Sequence, residues 1–245
     1  MNNRVSVNTD KQSPYIEKRG HLYRFKRRLT YAFAFRLLNK FIDRHQSLEI
    51  LEIGTGAGFF LDFANENFPN SRFTGLEFDE RLLSETALRA PKASLHQGNA
   101  ESFELGRNQY DLIVSFQVIE HLYNPVAMIK NVKEHLKSGG VFLLTTPNLS
   151  GVGARLMKER WHGYREDHVS LKSKMDWDEL IELHGFSSLY SGSTFFSGVP
   201  ILNRFPLGLF NWLLLLAFGS LRWSSGESYV GVFKLNSLEG CNGCQ

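Results

Sequence analysis

The chain has 245 residues, a net charge of +3, and two cysteines that both fall within the last five positions. The length suits one large α/β domain or a domain with appendages, and 42% hydrophobic against 22% charged residues is a globular rather than a disordered composition. So few cysteines exclude a disulfide-stapled secreted scaffold, and the N-terminus lacks the charged, apolar and small-residue regions of a secretory signal, so a cytoplasmic location is expected.

Residues 1–20 are polar and without periodicity. From 22 to 42, Leu22, Phe25, Leu29, Phe33, Leu37 and Phe41, widened by Leu38 and Ile42, recur at helical spacing among Arg24, Lys26, Arg27, Arg28, Arg36 and Lys40. This predicts a basic amphipathic helix. Residues 1–45 hold eleven Lys/Arg and three Asp/Glu, a net of +8, which leaves −5 on the remainder. Such asymmetry suits an anionic partner: a phosphorylated substrate, an acidic lipid surface or nucleic acid.

An apolar strand over 48–53 runs into Gly54-Thr-Gly56-Ala-Gly58 and a helix over 59–68. Closely spaced glycines between a strand and a helix N-terminus form a ligand cradle, since the backbone can approach the ligand and offer unpaired N–H groups. The dinucleotide pattern G-x-G-x-x-G would need glycine at 59, where Phe59 stands, and this argues against a nicotinamide dehydrogenase. Strand 2 is predicted over 72–77, and Asp79 caps a helix toward Ala90. Strand 3 covers 94–97 and strand 4 covers 110–116. Asn124-Pro125 opens a helix that Gly139 closes, and strand 5 covers 141–146. Asp176 and Glu179 read as a capping pair for a helix ending at Gly185, followed by strands over 186–196 and 229–235. Residues 205–221 are uncharged between Arg204 and Arg222. That is short of the roughly 20 apolar residues a membrane span needs, and Pro206, Gly208 and Asn211 interrupt it. The segment is a buried helix, a substrate lid, a dimer face or an interfacial anchor. Cys241-Asn-Gly-Cys244 sits in a polar tail with no strand–helix context for a redox or metal role.

Glu52 followed by Gly54, Gly56 and Gly58 resembles motif I of the class I S-adenosylmethionine-dependent methyltransferases. The resemblance extends through Glu77 at the end of strand 2, Gly98-Asn99-Ala100, Ser115-Phe116-Gln117-Val-Ile-Glu120-His121, and Lys137-Ser-Gly-Gly140 with Thr145-Thr-Pro-Asn148. It is closest in type to the small-molecule enzymes, including the ubiquinone-biosynthesis O-methyltransferases. It implies a doubly wound, mostly parallel Rossmann-like α/β sheet with helices on both faces and an antiparallel last strand. It also implies S-adenosylmethionine as cofactor, with S-adenosylhomocysteine as product. Glu52 would help hold the amino group, the glycines would pack on the methionine portion, and Glu77 would accept from the ribose hydroxyls. Asn99 and Ala100 would meet the adenine, and Ser115, Phe116 and Gln117 would lie beside the methyl group. Some relatives bind a divalent metal through Glu-x-x-Glu-His. With Gln117 in the first glutamate's place, Glu120 and His121 alone make a poor hard-cation site, so no metal is expected.

Trp161-His-Gly-Tyr-Arg-Glu-Asp-His168 is the densest polar-aromatic cluster outside this core. His168 or His121 would serve as base for an acceptor hydroxyl, and Pro147-Asn148 would edge the acceptor pocket. The organisation read from the chain is a basic N-terminal segment over 1–45, a cofactor-binding core over 46–195, an apolar insertion over 196–228, and a final strand with a tail over 229–245. The expected activity is methyl transfer to a small or lipid-linked acceptor at oxygen, from a monomer or homodimer with peripheral contact at the inner membrane face. An RNA methyltransferase and a non-catalytic cofactor-binding module are the alternatives. Ser115-Phe116-Gln117-Val118 is unlike the Asn/Asp-Pro-Pro-Tyr/Phe of nucleic-acid amino methyltransferases, so a nucleic-acid partner is disfavoured.

Overall fold

In the computed structural model the structure describes residues 21–194 and 207–237, so the polar N-terminal stretch, residues 195–206 and the Cys241–Cys244 pair lie outside it. The elements in chain order are α1 (His21–Leu38), β1 (Glu49–Ile53), α2 (Phe59–Asn67), β2 (Arg72–Glu77), α3 (Glu80–Arg89), β3 (Ser94–Gln97), β4 (Tyr110–Phe116), a 3₁₀ turn (Ile119–His121), α4 (Pro125–His135), β5 (Leu136–Pro147), α5 (Val152–Met157), a second 3₁₀ turn (Lys158–Arg160), α6 (Lys174–Leu183), β6 (Phe186–Thr194), α7 (Leu207–Phe218), β7 (Ser220–Leu221) and β8 (Ser228–Leu235). The described strands form one sheet of order β3-β2-β1-β4-β5-β8-β6-β7. The first five run parallel, and β8 lies antiparallel between β5 and β6. The doubly wound sheet and its antiparallel closing pair are as expected.

Alternation along the central strands builds two apolar layers. Ile50, Leu112, Val114, Leu143 and Val232 face α1 and α2 and meet Tyr31, Leu38, Phe60 and Ala64. Leu51, Ile53, Ile113, Phe142 and Leu144 face the other way, onto Met128, Ile129 and Val132 of α4 and Trp177 and Ile181 of α6. Each fully buried side chain of this size contributes about 1.5–3 kcal/mol relative to exposure. The strand order reverses between β1 and β4, and beyond the carboxyl ends of such neighbours an open α/β sheet binds its ligand.

Three local expectations are corrected. The helical stripe read from the sequence is buried only in part: Leu37 and Leu38 are buried and Phe41 and Ile42 pack against the core, but Phe25 is 57% exposed, and Tyr31 and Ala34 are buried from outside the stripe. Both faces of this helix carry apolar residues, so the periodicity does not choose between them. Gly139 does not close α4. The helix ends at His135, and Gly139, with φ +76, lies in β5 where its register with β4 jumps from Tyr110↔Leu136 to Leu112↔Val141. The α6 cap is a reciprocal box between Ser173 and Asp176 rather than an Asp176–Glu179 pair. The caps by Asp79, on the Arg81 amide, and by Asn124, on the Ala127 amide with Pro125 opening the helix, stand as read.

Candidate functional site

A cleft of about 780 Å³ opens at the carboxyl ends of β1, β2 and β4. Its floor is the turn after β1. Gly54, Gly56 and Gly58 have φ of +76, +54 and +76, a region open to glycine at little cost. A Cβ on Gly54 would lie 2.3 Å from the Val118 side chain, and one on Gly58 would lie 2.8 Å from Thr86, whereas one on Gly56 meets nothing within 4 Å. Gly54 and Gly58 therefore allow close packing, and Gly56 opens onto the cleft. Gly58 itself does not line it.

Glu77 holds this turn in place. One carboxylate oxygen accepts from the Gly56 amide at 2.7 Å, and the other from the Phe78 and Asp79 amides at 2.9 and 3.0 Å. Burial pushes its pKa up despite those three donors. From α3, the Thr86 hydroxyl donates to the Gly56 carbonyl at 2.9 Å, with the Leu82 carbonyl at 3.0 Å as an alternative acceptor. Glu52 is 2% exposed, and its Oε2 has no hydrogen-bond partner. Burial first, and the nearby Glu77 second, raise its pKa well above the ordinary carboxylate range, with Arg27 of α1 pulling the other way. A buried carboxylate oxygen with no partner costs free energy. Here it lies in the wall of the cleft, where a cationic ligand group would satisfy it.

The remaining cofactor candidates divide. Asn99, Ala100, Phe116 and Gln117 line the cleft, but Ser115 does not: it is fully buried with its hydroxyl unpartnered. Asn99 is exposed, and its side-chain oxygen accepts from the Glu101 amide at 2.9 Å. Gln117 has φ +56 and donates its backbone N–H to the Thr145 carbonyl at 2.9 Å. This left-handed turn at a non-glycine residue sends the chain across the cleft into the 3₁₀ turn that carries Glu120 and His121. Arg27 and Tyr31 of α1 also line the cleft. Tyr31 stacks edge-on against Phe60 and Phe116, at 5.5 and 5.1 Å between ring centroids. Sequence reasoning missed both residues, along with Thr86. Pro147 lines the cleft, but Asn148 is fully buried behind it, donating to the Ser224 and Gly226 carbonyls at 2.8 Å.

The opposite wall joins two segments far apart in sequence. The His168 Nδ1–H donates to the Gly163 carbonyl at 2.7 Å, and the His121 Nδ1–H to the Asp167 carbonyl at 2.9 Å. A carbonyl only accepts, so each imidazole keeps its proton on Nδ1 when neutral, leaving Nε2 with a lone pair. The two rings meet edge-on at 4.7 Å. Burial lowers the His168 pKa more than the Gly163 carbonyl raises it. Glu120 is 1% exposed and accepts from the Thr146 hydroxyl at 3.0 Å, while its other oxygen has no partner. Burial raises its pKa to about 7. One ligand-type atom from each of Glu120, His121 and His168 lies within 4.8 Å of the others. The pair read from the sequence thus gains a third member.

Residues 21–190 match the model of the methyltransferase domain family. The chain belongs to that family. Its residues fit S-adenosylmethionine, the cofactor that the sequence motifs imply: the orphaned Glu52 oxygen suits an ammonium beside a sulfonium, and the space beyond Gly56 admits the chain that joins them. A Mycolicibacterium smegmatis protein named as a probable S-adenosylmethionine-dependent methyltransferase is 34% identical over 100 residues, 41% of this chain and 38% of its own. A malonyl-[acyl-carrier protein] O-methyltransferase of a Paenibacillus strain is 27% identical over 155 residues, 58% of this chain and 56% of its own. The chain thus spans less than two thirds of the length of these curated relatives. Among solved structures, a methyltransferase complexed with the Haloferax volcanii Trm112 activator superposes with a TM-score of 0.65 at 14% identity, over 88% of this chain and 93% of that one, a likeness of fold.

Proposed function

We propose that this methyltransferase alkylates a hydroxyl oxygen of a small or lipid-linked acceptor by in-line displacement. S-adenosylmethionine supplies a methyl group on a good leaving group, so the protein's work is to align, to exclude water and to accept a proton. The observation that carries the reading is the His168 imidazole, whose Nδ1–H is tied to the Gly163 carbonyl while Nε2 is left as a base in the cleft. In this scheme Glu52 and Glu77 hold the cofactor's ammonium and ribose, Tyr31 and Phe116 exclude water, and His121 orders the neighbouring wall. A second reading is favoured by the Glu120–His121–His168 cluster, whose imidazole and carboxylate donors also suit zinc or iron.

Calorimetric titration with S-adenosylmethionine and S-adenosylhomocysteine, with NADH as control, tests the cofactor part. Wild type should bind both sulfur ligands and not NADH. Glu77→Ala should bind at least about 10-fold more weakly, because the ribose contacts and the support of the Gly56 amide are lost together. Folded wild type that binds neither ligand would overturn the reading.

The lipid-linked half of the proposal rests on α7. It contains no charged residue, and Leu207, Phe210, Leu213 and Phe218 are each about half exposed. The turn that follows it packs Gly219 on Phe33 of α1, and the guanidinium of Arg36 lies 5.5 Å from that ring. An apolar helix face beside basic residues suits an anionic bilayer surface. Among the described residues no helix is long and apolar enough to cross a membrane. Wild type should float with phosphatidylglycerol vesicles and not with phosphatidylcholine alone, and Phe210→Glu/Leu213→Glu should stay at the bottom of the gradient. No flotation of wild type would leave a freely diffusing acceptor.

A further inference from the structure

Glu227, immediately before β8, is 3% exposed and lines no part of the cleft, yet its carboxylate reaches the segment that carries His168. One oxygen accepts from the Gly153 amide at 2.9 Å, and the other from the Trp161 indole N–H at 2.6 Å. The approach at α5 is so close that a Cβ on Gly153 would sit 2.4 Å from the carboxylate. Trp161 is itself 1% exposed, and its ring closes against Gly163, where a Cβ would lie 2.2 Å from the indole. The Gly163 carbonyl is the acceptor of the His168 Nδ1–H. Carboxylate, indole, glycine and imidazole thus form one packed series running from the sheet to the cleft. Its base is firm, because the Glu227 carbonyl accepts from the Asn148 amide at 2.9 Å and the Val152 amide donates to the Ser225 carbonyl at 3.0 Å.

We infer that Glu227 is a positioning residue for His168, acting through Trp161 and Gly163 to hold the imidazole as the Nδ1–H tautomer with Nε2 as the base. The inference rests on the role given to His168 above. The chemistry calls for a carboxylate. Two N–H donors converge on this side chain, and a carboxylate offers an acceptor oxygen to each, whereas an amide of the same shape offers one oxygen and turns N–H groups on the other donor. Released from the Gly163 carbonyl, an imidazole in water prefers the Nε2–H tautomer, in which the cleft-facing nitrogen is no longer a base.

The test is the ring ¹⁵N shifts of His168 in full-length protein labelled at histidine, assigned by difference from His168→Gln. Wild type should show the Nδ1–H form. Glu227→Gln, and separately Trp161→Phe, should shift His168 toward the Nε2–H form. Glu120, His121, Asp167 and Arg165 face the same cluster, and the His121 ring is followed in the same spectra. S-adenosylmethionine affinity should not change, since Glu52, Gly54, Gly56 and Glu77 are untouched. If Glu227→Gln does not fold, Trp161→Phe, which keeps an aromatic side chain and leaves the carboxylate in place, carries the test alone. An Nε2–H tautomer in wild type would overturn the inference. So would folded variants that lose thermal stability while the His168 tautomer stays fixed, which is what a purely structural role predicts. Absence of cofactor binding in wild type would instead defeat the proposed function and leave the tautomer result standing.

Discussion

Glu52→Met should weaken S-adenosylmethionine binding about 10- to 100-fold while making the ligand-free protein more stable. Both effects come from one atom. The Oε2 of Glu52 is buried without a hydrogen-bond partner, so the ligand-free fold carries the cost of an unsatisfied polar group, about 1–3 kcal/mol. A thioether chain of similar length carries none, and the midpoint of thermal unfolding should rise by several degrees. The cofactor loses a charge-assisted partner of comparable worth, hence the fall in affinity. The pH dependence follows from linkage. Below the ordinary carboxylate pKa of 4.5 Glu52 is protonated in both folded and unfolded chains. Above it the unfolded chain releases a proton that the folded chain retains, so ligand-free stability falls as pH rises toward the folded-state value. Glu77 and Glu120 are shifted in the same direction, Glu120 to about 7. These three carboxylates should therefore contribute more stability at pH 5 than at pH 8, against the opposite contribution of His168, and Glu52→Met should remove the Glu52 share of that slope. A cationic ligand favours ionised Glu52, so wild-type affinity should rise with pH, and this dependence should shrink in the variant. Unfolding scans at the two pH values, paired with calorimetric titrations, read all three quantities. A variant that binds as tightly as wild type would refute the role of Glu52.

What the sequence disclosed of this site is what local backbone chemistry enforces. Three glycines at positive φ, an Asp and an Asn at helix N-termini, and the strand–helix alternation are short-range signals, and the cofactor loop is made of them. The features it hid depend on packing between distant elements. Nothing local marks Thr86 as the hydroxyl that clamps the Gly56 carbonyl 30 residues away, or Tyr31 as a ring against Phe116. The Trp161–His168 segment stands out by composition, but its buried anchor Glu227 lies 66 residues beyond Trp161 and reads in the sequence as one acid before a strand. Glu120 and His121 looked like an incomplete pair because His168 joins them only through the fold.

His168→Gln should lower kcat with a hydroxyl acceptor about 100- to 10,000-fold, the usual contribution of a positioned general base, with S-adenosylmethionine affinity unchanged. Glutamine keeps an N–H to offer the Gly163 carbonyl but has no basic nitrogen. Because burial holds the wild-type imidazole below its ordinary pKa of 6.5, it stays neutral at pH 7, and the acid limb of the kcat profile should lie lower than a free imidazole would place it. Glu120, with a pKa near 7, sits in the same cluster, so the profile reports the group rather than one residue. Removing His168 should change the limb's position, leaving what Glu120 contributes. EDTA should leave the wild-type rate intact if the imidazole acts directly, whereas loss in EDTA and recovery with Zn²⁺ would make Glu120, His121 and His168 metal ligands. The acceptor's own chemistry separates the remaining cases. A carboxylate arrives without a proton to lose, so an enzyme for such an acceptor would barely notice the substitution. A hydroxyl becomes a competent nucleophile only as its proton leaves, so the size of the His168→Gln defect tells which oxygen this cleft was shaped to methylate.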